Sequence, residues 1–205
     1  MTRTSAAFCN DIVLRSYPKP VSVYEGLAQI ECENLPVVYD CISLDDGQIV
    51  LEEYIDGVTI SALMETEKYR YKGAKAVLKG LCNALSAVHS LNFVHRDIKP
   101  ENVMVDSLGR VYLIDFNVSR KVTDASRDTV IMGTVGYASP EQLGISQSDA
   151  RTDIYAMGVL LNVMLTGKHP SETLASGKAG KIVRKCTAVN PQDRYQSAQK
   201  LFEAL

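Results

Sequence analysis

Apolar and polar residues alternate along D-I-V-L-R-S-Y from Asp11 to Tyr17, which predicts a strand with Val13, Arg15 and Tyr17 on one face, closed by Pro18 and Pro20. Val21 to Ile30 then reads as a short helix that Gly26 weakens. Two more strands are expected around Leu35 to Cys41 and Gln48 to Tyr54, joined by the turn Asp45-Asp46-Gly47. Between Gly73 and Leu91 the period lengthens: Ala74, Val77, Leu78, Leu81, Leu85 and Val88 recur every three or four positions and mark an amphipathic helix. The runs Val103 to Val105 and Val111 to Ile114 flank Ser107-Leu108-Gly109 and predict a small hairpin. Val118 to Thr134 is rich in hydroxyls and charges without a period, as a loop is. Arg151 to Thr166 is apolar nearly all round, the pattern of a buried helix, and Gly167 ends it. N-P-Q-D-R-Y-Q-S-A-Q-K-L, from Asn190, is read as the start of a last helix.

The totals narrow the function classes. A chain of 205 residues, 46% hydrophobic, suffices for one substantial core and is too short for two independent enzymes. A net charge of −2 without a block of like charges gives no nucleic-acid surface and no polybasic membrane patch. The partners expected are small molecules and other proteins, and nothing specifies an oligomeric state. Cys9, Cys32, Cys41, Cys82 and Cys186 are odd in number and lack metal-site spacing, which points to buried or idle thiols in a reducing compartment. The N-terminal residues lack the apolar core of a signal peptide. The most apolar run, Ile154 to Leu165, is interrupted by Gly158 and Asn162 and falls short of the roughly 18 to 20 residues that span a bilayer. A soluble cytoplasmic protein is the expectation.

The chemistry concentrates between Asn92 and Asn117, where Asp97, Lys99, Asn102 and Asp115 stand among short apolar runs. A hydroxyl that attacks a phosphoryl group needs an acceptor for its proton, and the phosphate needs an oxygen-held divalent cation with a positive charge nearby. Those four side chains offer all three. The wording His95-Arg96-Asp97-Ile98-Lys99-Pro100-Glu101-Asn102, followed by Asp115-Phe116-Asn117, resembles that of protein kinases, H-R-D-x-x-x-x-N then D-F-G, at every position but the last. Asparagine there is a mild departure, since it tolerates the positive φ that glycine supplies. The resemblance covers about Ile12 to Leu205 and is specific from Leu85 onward.

The resemblance implies roles for individual residues. Asp97 would orient and deprotonate the acceptor hydroxyl, Lys99 would neutralise the transferring phosphate, and Asn102 with Asp115 would hold Mg²⁺. Arg15 stands where the family places its ATP-binding lysine, with Lys19 as a weaker alternative; an arginine keeps the charge but changes the geometry. Glu25 is the acidic candidate on the first helix to pair with Arg15. Glu52 takes the gatekeeper position, where a buried carboxylate needs a partner, again Arg15. Glu53, Tyr54 and Ile55 become the hinge, the Glu53 and Ile55 backbone meeting the adenine of ATP. His89 is given no catalytic role. Val118 to Thr134 is the activation segment, with Ser126 and Thr129 as phosphate acceptors for Arg96, and with Thr134 beside the A-P-E-like Ser139-Pro140-Glu141. Asp153 resembles the residue that holds the catalytic-loop backbone, and Arg194 the one that pairs with Glu141. Lys99 and Thr134 follow the serine/threonine pattern rather than the tyrosine one.

No G-x-G-x-x-G precedes the Arg15 strand in this sequence. The expected fold is therefore α+β and two-lobed: a single kinase-like domain over residues 1–205, with a reduced β-rich N-lobe and hinge (1–55) lacking the glycine-rich loop and a complete, mainly helical C-lobe (56–205). The expected function is a serine/threonine protein kinase of the bacterial eukaryotic-type group, using ATP and Mg²⁺ on a protein substrate. The alternative is a pseudokinase that keeps the fold as a binding or regulatory module.

Overall fold

The computed structural model describes residues 11–66, 69–122, 136–143 and 147–205. The fold is α+β and two-lobed. The smaller lobe is an antiparallel sheet of order β1-β3-β2, built from β1 (Ile12–Tyr17), β2 (Val38–Leu44) and β3 (Gly47–Glu53), with α1 (Val23–Leu27) against it. Alternation sets the faces: Val13, Arg15 and Tyr17 point inward across from Glu52, Val50 and Gln48, while Ile12 and Leu14 face out. The strand β2 begins three residues later than its apolar run suggests. Its hairpin closes on Asp45-Asp46, with Leu44 opposite Gly47. The helix α1 keeps only five of the ten residues expected, and its buried side chains are Val23, Tyr24 and Leu27.

The larger lobe is organised on α3 (Tyr71–Ser90), whose apolar stripe is buried from Ala74 to Val88. It packs against α4 (Ala150–Thr166), α6 (Ala198–Ala204) and the hairpin strand β7 (Val111–Leu113). One core runs through both lobes, from Tyr24 and Val50 through Leu81 and Phe116 to Leu160 and Leu201. The hairpin pairs β6 (Val103–Asp106) with β7 (Val111–Leu113), and β4 (Gly57–Thr59) adds on the far side of β6. Two-residue strands β5 (Phe93–Val94) and β8 (Arg120–Lys121) pair on either side of the segment from His95 to Ser119.

Capping fixes where α4 starts and stops. The Asp149 carboxylate accepts from Arg151 N–H, Thr152 reaches back to Asp149 N–H, and Gly167 at φ 72° closes the C-terminus. Gly158 in its middle lets α5 (Gly177–Cys186) approach: a Cβ there would lie 2.3 Å from that of Cys186. Among the described residues β4, β5, β8, α2 (Ile60–Thr66) and α5 were not foreseen, all but α5 too short for a period to show, and β8 corrects the reading of Val118 to Thr134 as a loop throughout. The last helix starts at Ala198, with Ser197 as its cap; Pro191–Asp193 forms a separate 3₁₀ turn. Among the described residues no helix is long and apolar enough to cross a membrane. Cys32, Cys41, Cys82 and Cys186 are free thiols, the last two buried.

Candidate active site

The loop after β5 is held from behind by one carboxylate. Asp153, fully buried in the first turn of α4, accepts from the backbone N–H of His95 (2.9 Å, Oδ2) and of Arg96 (2.8 Å, Oδ1), and His89 Nε2 lies 2.8 Å from Oδ2. Burial alone would raise the Asp153 pKa, yet these donors hold it below the ordinary carboxylate value. His89 thus has a structural part that its position at a helix end did not reveal. A second brace comes from Gln142, whose Nε2 donates to Arg96 carbonyl (2.8 Å) while its Oε1 accepts from Ser139 N–H.

His95 links the loop to β7. Burial pushes its imidazole below the ordinary pKa and so keeps it neutral. The neutral ring donates from Nε2 to the Ile114 carbonyl (3.2 Å) and accepts at Nδ1 from Asp97 N–H (3.3 Å). Its face meets Phe116 edge-on at 4.8 Å; Phe116 in turn meets Tyr24 at 5.9 Å, and Tyr24 meets Tyr17. This aromatic column joins α1 and β1 to His95 and Phe116.

Around that scaffold the structure brings Asp97, Lys99 and Asn102 together. Lys99 Nζ lies 2.7 Å from Asp97 Oδ2. Asn102 spends its Nδ2 group on Asp97, donating to the carbonyl and to Oδ2 at 2.9 Å each, which orients its amide so that Oδ1 is the acceptor on offer. Asp115 follows β7, and its Oδ1 accepts from Asn117 N–H at 3.2 Å. Arg96 (φ 71°) and Asp115 (φ 65°) both hold the left-handed conformation, sparsely populated for such residues and concentrated at functional sites. The positive φ expected of Asn117 sits instead at Asp115, two residues earlier, and Asn117 does not share it.

In the small lobe Arg15 meets Glu52, Nε to Oε1 at 2.5 Å. Glu25 is exposed and takes no part, because Tyr24 holds the inward position of α1 and hydrogen-bonds Tyr17 Oη to Oη at 2.8 Å. Burial raises the Glu52 pKa; the Arg15 bond offsets part of that, and the charge on Asp115 adds to it. Lys19 lies beyond β1 on a cavity of about 480 Å³ that Asn117 also lines. At the end of β3, Glu53 N–H donates to Val37 carbonyl (2.8 Å), while Val37 N–H is met by the Glu53 carboxylate rather than its carbonyl. Ile55 is buried.

Glu141 and Arg194 form a two-pronged ion pair at 2.6 and 2.9 Å, both side chains buried. Ser126, Thr129 and Thr134 lie outside the described residues.

The site has a pH signature. His95, Asp153 and Glu141 all have folded pKa values below their ordinary ones, so the unfolded chain binds more protons at each. Their stabilisation is complete above the ordinary values and is lost as pH falls, first below 6.5 for His95 and then through the carboxylate range. Glu52, with a raised pKa, acts in the opposite sense above the carboxylate range, where it faces His95 alone, so the profile is read in Glu52→Gln. The urea midpoint of that variant is expected to fall from about pH 7.5 to about pH 5. A flat profile over that range would contradict a neutral, buried His95.

Comparison with known proteins agrees with this geometry. The chain is 30% identical to serine/threonine-protein kinase PknB of Mycobacterium tuberculosis, over 91% of this chain and 32% of that protein. It is 31% identical to serine/threonine-protein kinase D of a Synechocystis strain (95% and 42%), and 26% to serine/threonine-protein kinase PrkC of Bacillus subtilis (86% and 31%). The chain thus spans about a third to two fifths of the length of these curated relatives. The protein kinase domain profile matches residues 23–203, from the first residue of α1 to the last turn of α6. A match of that extent, on a loop built this way, makes the chain a member of the protein kinase family.

Proposed function

We propose that this chain transfers the γ-phosphate of ATP to a serine or threonine hydroxyl of a protein, with Mg²⁺. The observation that carries the reading is the cluster of Asp97, Lys99 and Asn102 on a loop pinned by Asp153. Asp97 accepts the proton of the attacking hydroxyl, and Lys99, beside it, places a positive charge where the transferring phosphate gathers negative charge. Asn102 and Asp115 present a carboxamide and a carboxylate oxygen, the hard ligands that Mg²⁺ takes in ones and twos alongside phosphate oxygens. Among the described residues no set of three His, Cys, Asp or Glu side chains forms a metal cage, which fits that shared mode. When bound, Mg²⁺ neutralises phosphate charge. Arg15 meets the ATP phosphates, and the Glu53 carbonyl with the Ile55 amide meets the adenine.

The names of the relatives, and Lys99 two positions after Asp97, favour serine and threonine as acceptors. Ser126 and Thr129 are acceptors within the chain, Thr134 belongs to the same activation segment, and a phosphate there would pair with Arg96. ATP chemistry and free thiols suit the cytoplasm. One observation favours the alternative of a pseudokinase, a binding module without transfer: Arg15 is already engaged by Glu52.

Calorimetric titration of ATP with and without Mg²⁺ tests the reading. The expected result is that Mg²⁺ tightens binding in the parent and has no such effect in Asp115→Asn. Binding that ignores Mg²⁺, or none at millimolar ATP, would overturn it.

A further inference from the structure

In protein kinases the phosphate-binding strand lysine is held by a glutamate from a helix, and this pair must be in place for transfer. Here the helix offers no such group: α1 turns Tyr24 inward and Glu25 into solvent. The carboxylate instead comes from the sheet. Glu52 on β3 lies opposite Val13 on β1, so Arg15, two residues along, is its diagonal neighbour on the same inner face. Glu52 is 5% exposed and Arg15 31%. Glu52 engages Nε alone, and among the described residues the two Nη groups of Arg15 have no hydrogen-bond partner. One edge of the guanidinium is fixed and the other remains available, the fork geometry that suits a phosphate. Tyr17, on the same face of β1, meets Tyr24 and through it Phe116, the residue after Asp115, which puts the pair beside the site.

Resting on the kinase reading above, we propose that Glu52 is a positioning residue that aims Arg15 at the nucleotide phosphates and replaces the helix glutamate. The grip is then assembled within one antiparallel sheet and does not wait for α1 to move. A carboxylate in this buried position also excludes a second anion from the back of the pocket, so the phosphates are met by the outer edge of Arg15 only.

The test measures dissociation constants of Mg·ATP and of adenosine, with melting temperatures, for the parent, Glu52→Gln, Arg15→Met, the double variant and Glu25→Gln. Glu52→Gln is expected to weaken Mg·ATP by roughly tenfold to a hundredfold, the range of one charge-assisted hydrogen bond, and to leave adenosine unchanged. Glu25→Gln changes neither. In the Arg15→Met background Glu52→Gln adds no further loss, because Glu52 acts through Arg15. Equal losses of adenosine and Mg·ATP would make Glu52 a wall of the adenine pocket and overturn the proposal, as would full additivity. A parent that binds neither ligand would overturn the kinase reading itself, an outcome distinct from a parent that binds both while Glu52→Gln is silent.

Discussion

Arg194→Ala is expected to lower the melting temperature by roughly 6 to 20 °C. The Arg194 side chain is fully buried and all five of its N–H groups are used. Nη1 and Nη2 each meet a Glu141 oxygen; Nη1 also donates to Arg151 carbonyl, Nη2 to Val189 carbonyl and Nε to Ala188 carbonyl. Removing the cation strands a carboxylate and three carbonyls, and breaking one side of a buried pair costs about 3–5 kcal/mol. For a domain of this length 1 kcal/mol shifts the midpoint by about 2–4 °C. The Glu141 pKa gives the same direction, since burial would raise it and the Arg194 bonds bring it below the ordinary value. Thermal melts of Arg194→Ala and Arg194→Lys decide the point. Lysine keeps a charge but not the fork, so it should fall between parent and alanine. A variant that melts like the parent would place Arg194 outside the core.

Asp97→Asn is expected to reduce phosphate transfer by about 10² to 10⁴-fold, the usual contribution of a general base. Asparagine is isosteric and still accepts from Asn102, so the loop keeps its shape while the proton acceptor is lost. Nucleotide affinity should remain within a few-fold of the parent, since Asp97 is not among the groups assigned to the adenine or the metal. Comparison of kcat with the calorimetric Kd separates the two effects. Equal loss of binding and turnover would mean that Asp97 shapes the pocket rather than the chemistry.

The cluster of Asp97, Lys99 and Asn102 was legible because their identities and spacing are local. The hairpin around Ser107-Leu108-Gly109 and the α3 stripe were legible for the same reason, each being carried by a period of two or of three to four residues. The partner of Arg15 was not settled that way. Glu25 and Glu52 were both eligible by sequence, and the choice depends on which side of α1 faces the sheet, a tertiary fact that a five-residue helix cannot announce. The left-handed residue was misplaced to Asn117 by its side chain, whereas strain at Asp115 and Arg96 is imposed by the surrounding contacts and leaves no trace in composition. The bond from His89 to Asp153 was missed because a histidine near a helix end has an ordinary structural reason to be there.

The central claim is tested most directly by incubating the chain with Mg²⁺ and γ-labelled ATP, alone and with a generic serine- and threonine-containing protein, and identifying the labelled amino acids. The account predicts phosphoserine or phosphothreonine in the parent and its loss in Asp97→Asn. Mg²⁺-dependent ATP binding with no label on any hydroxyl would contradict it and make the chain a pseudokinase.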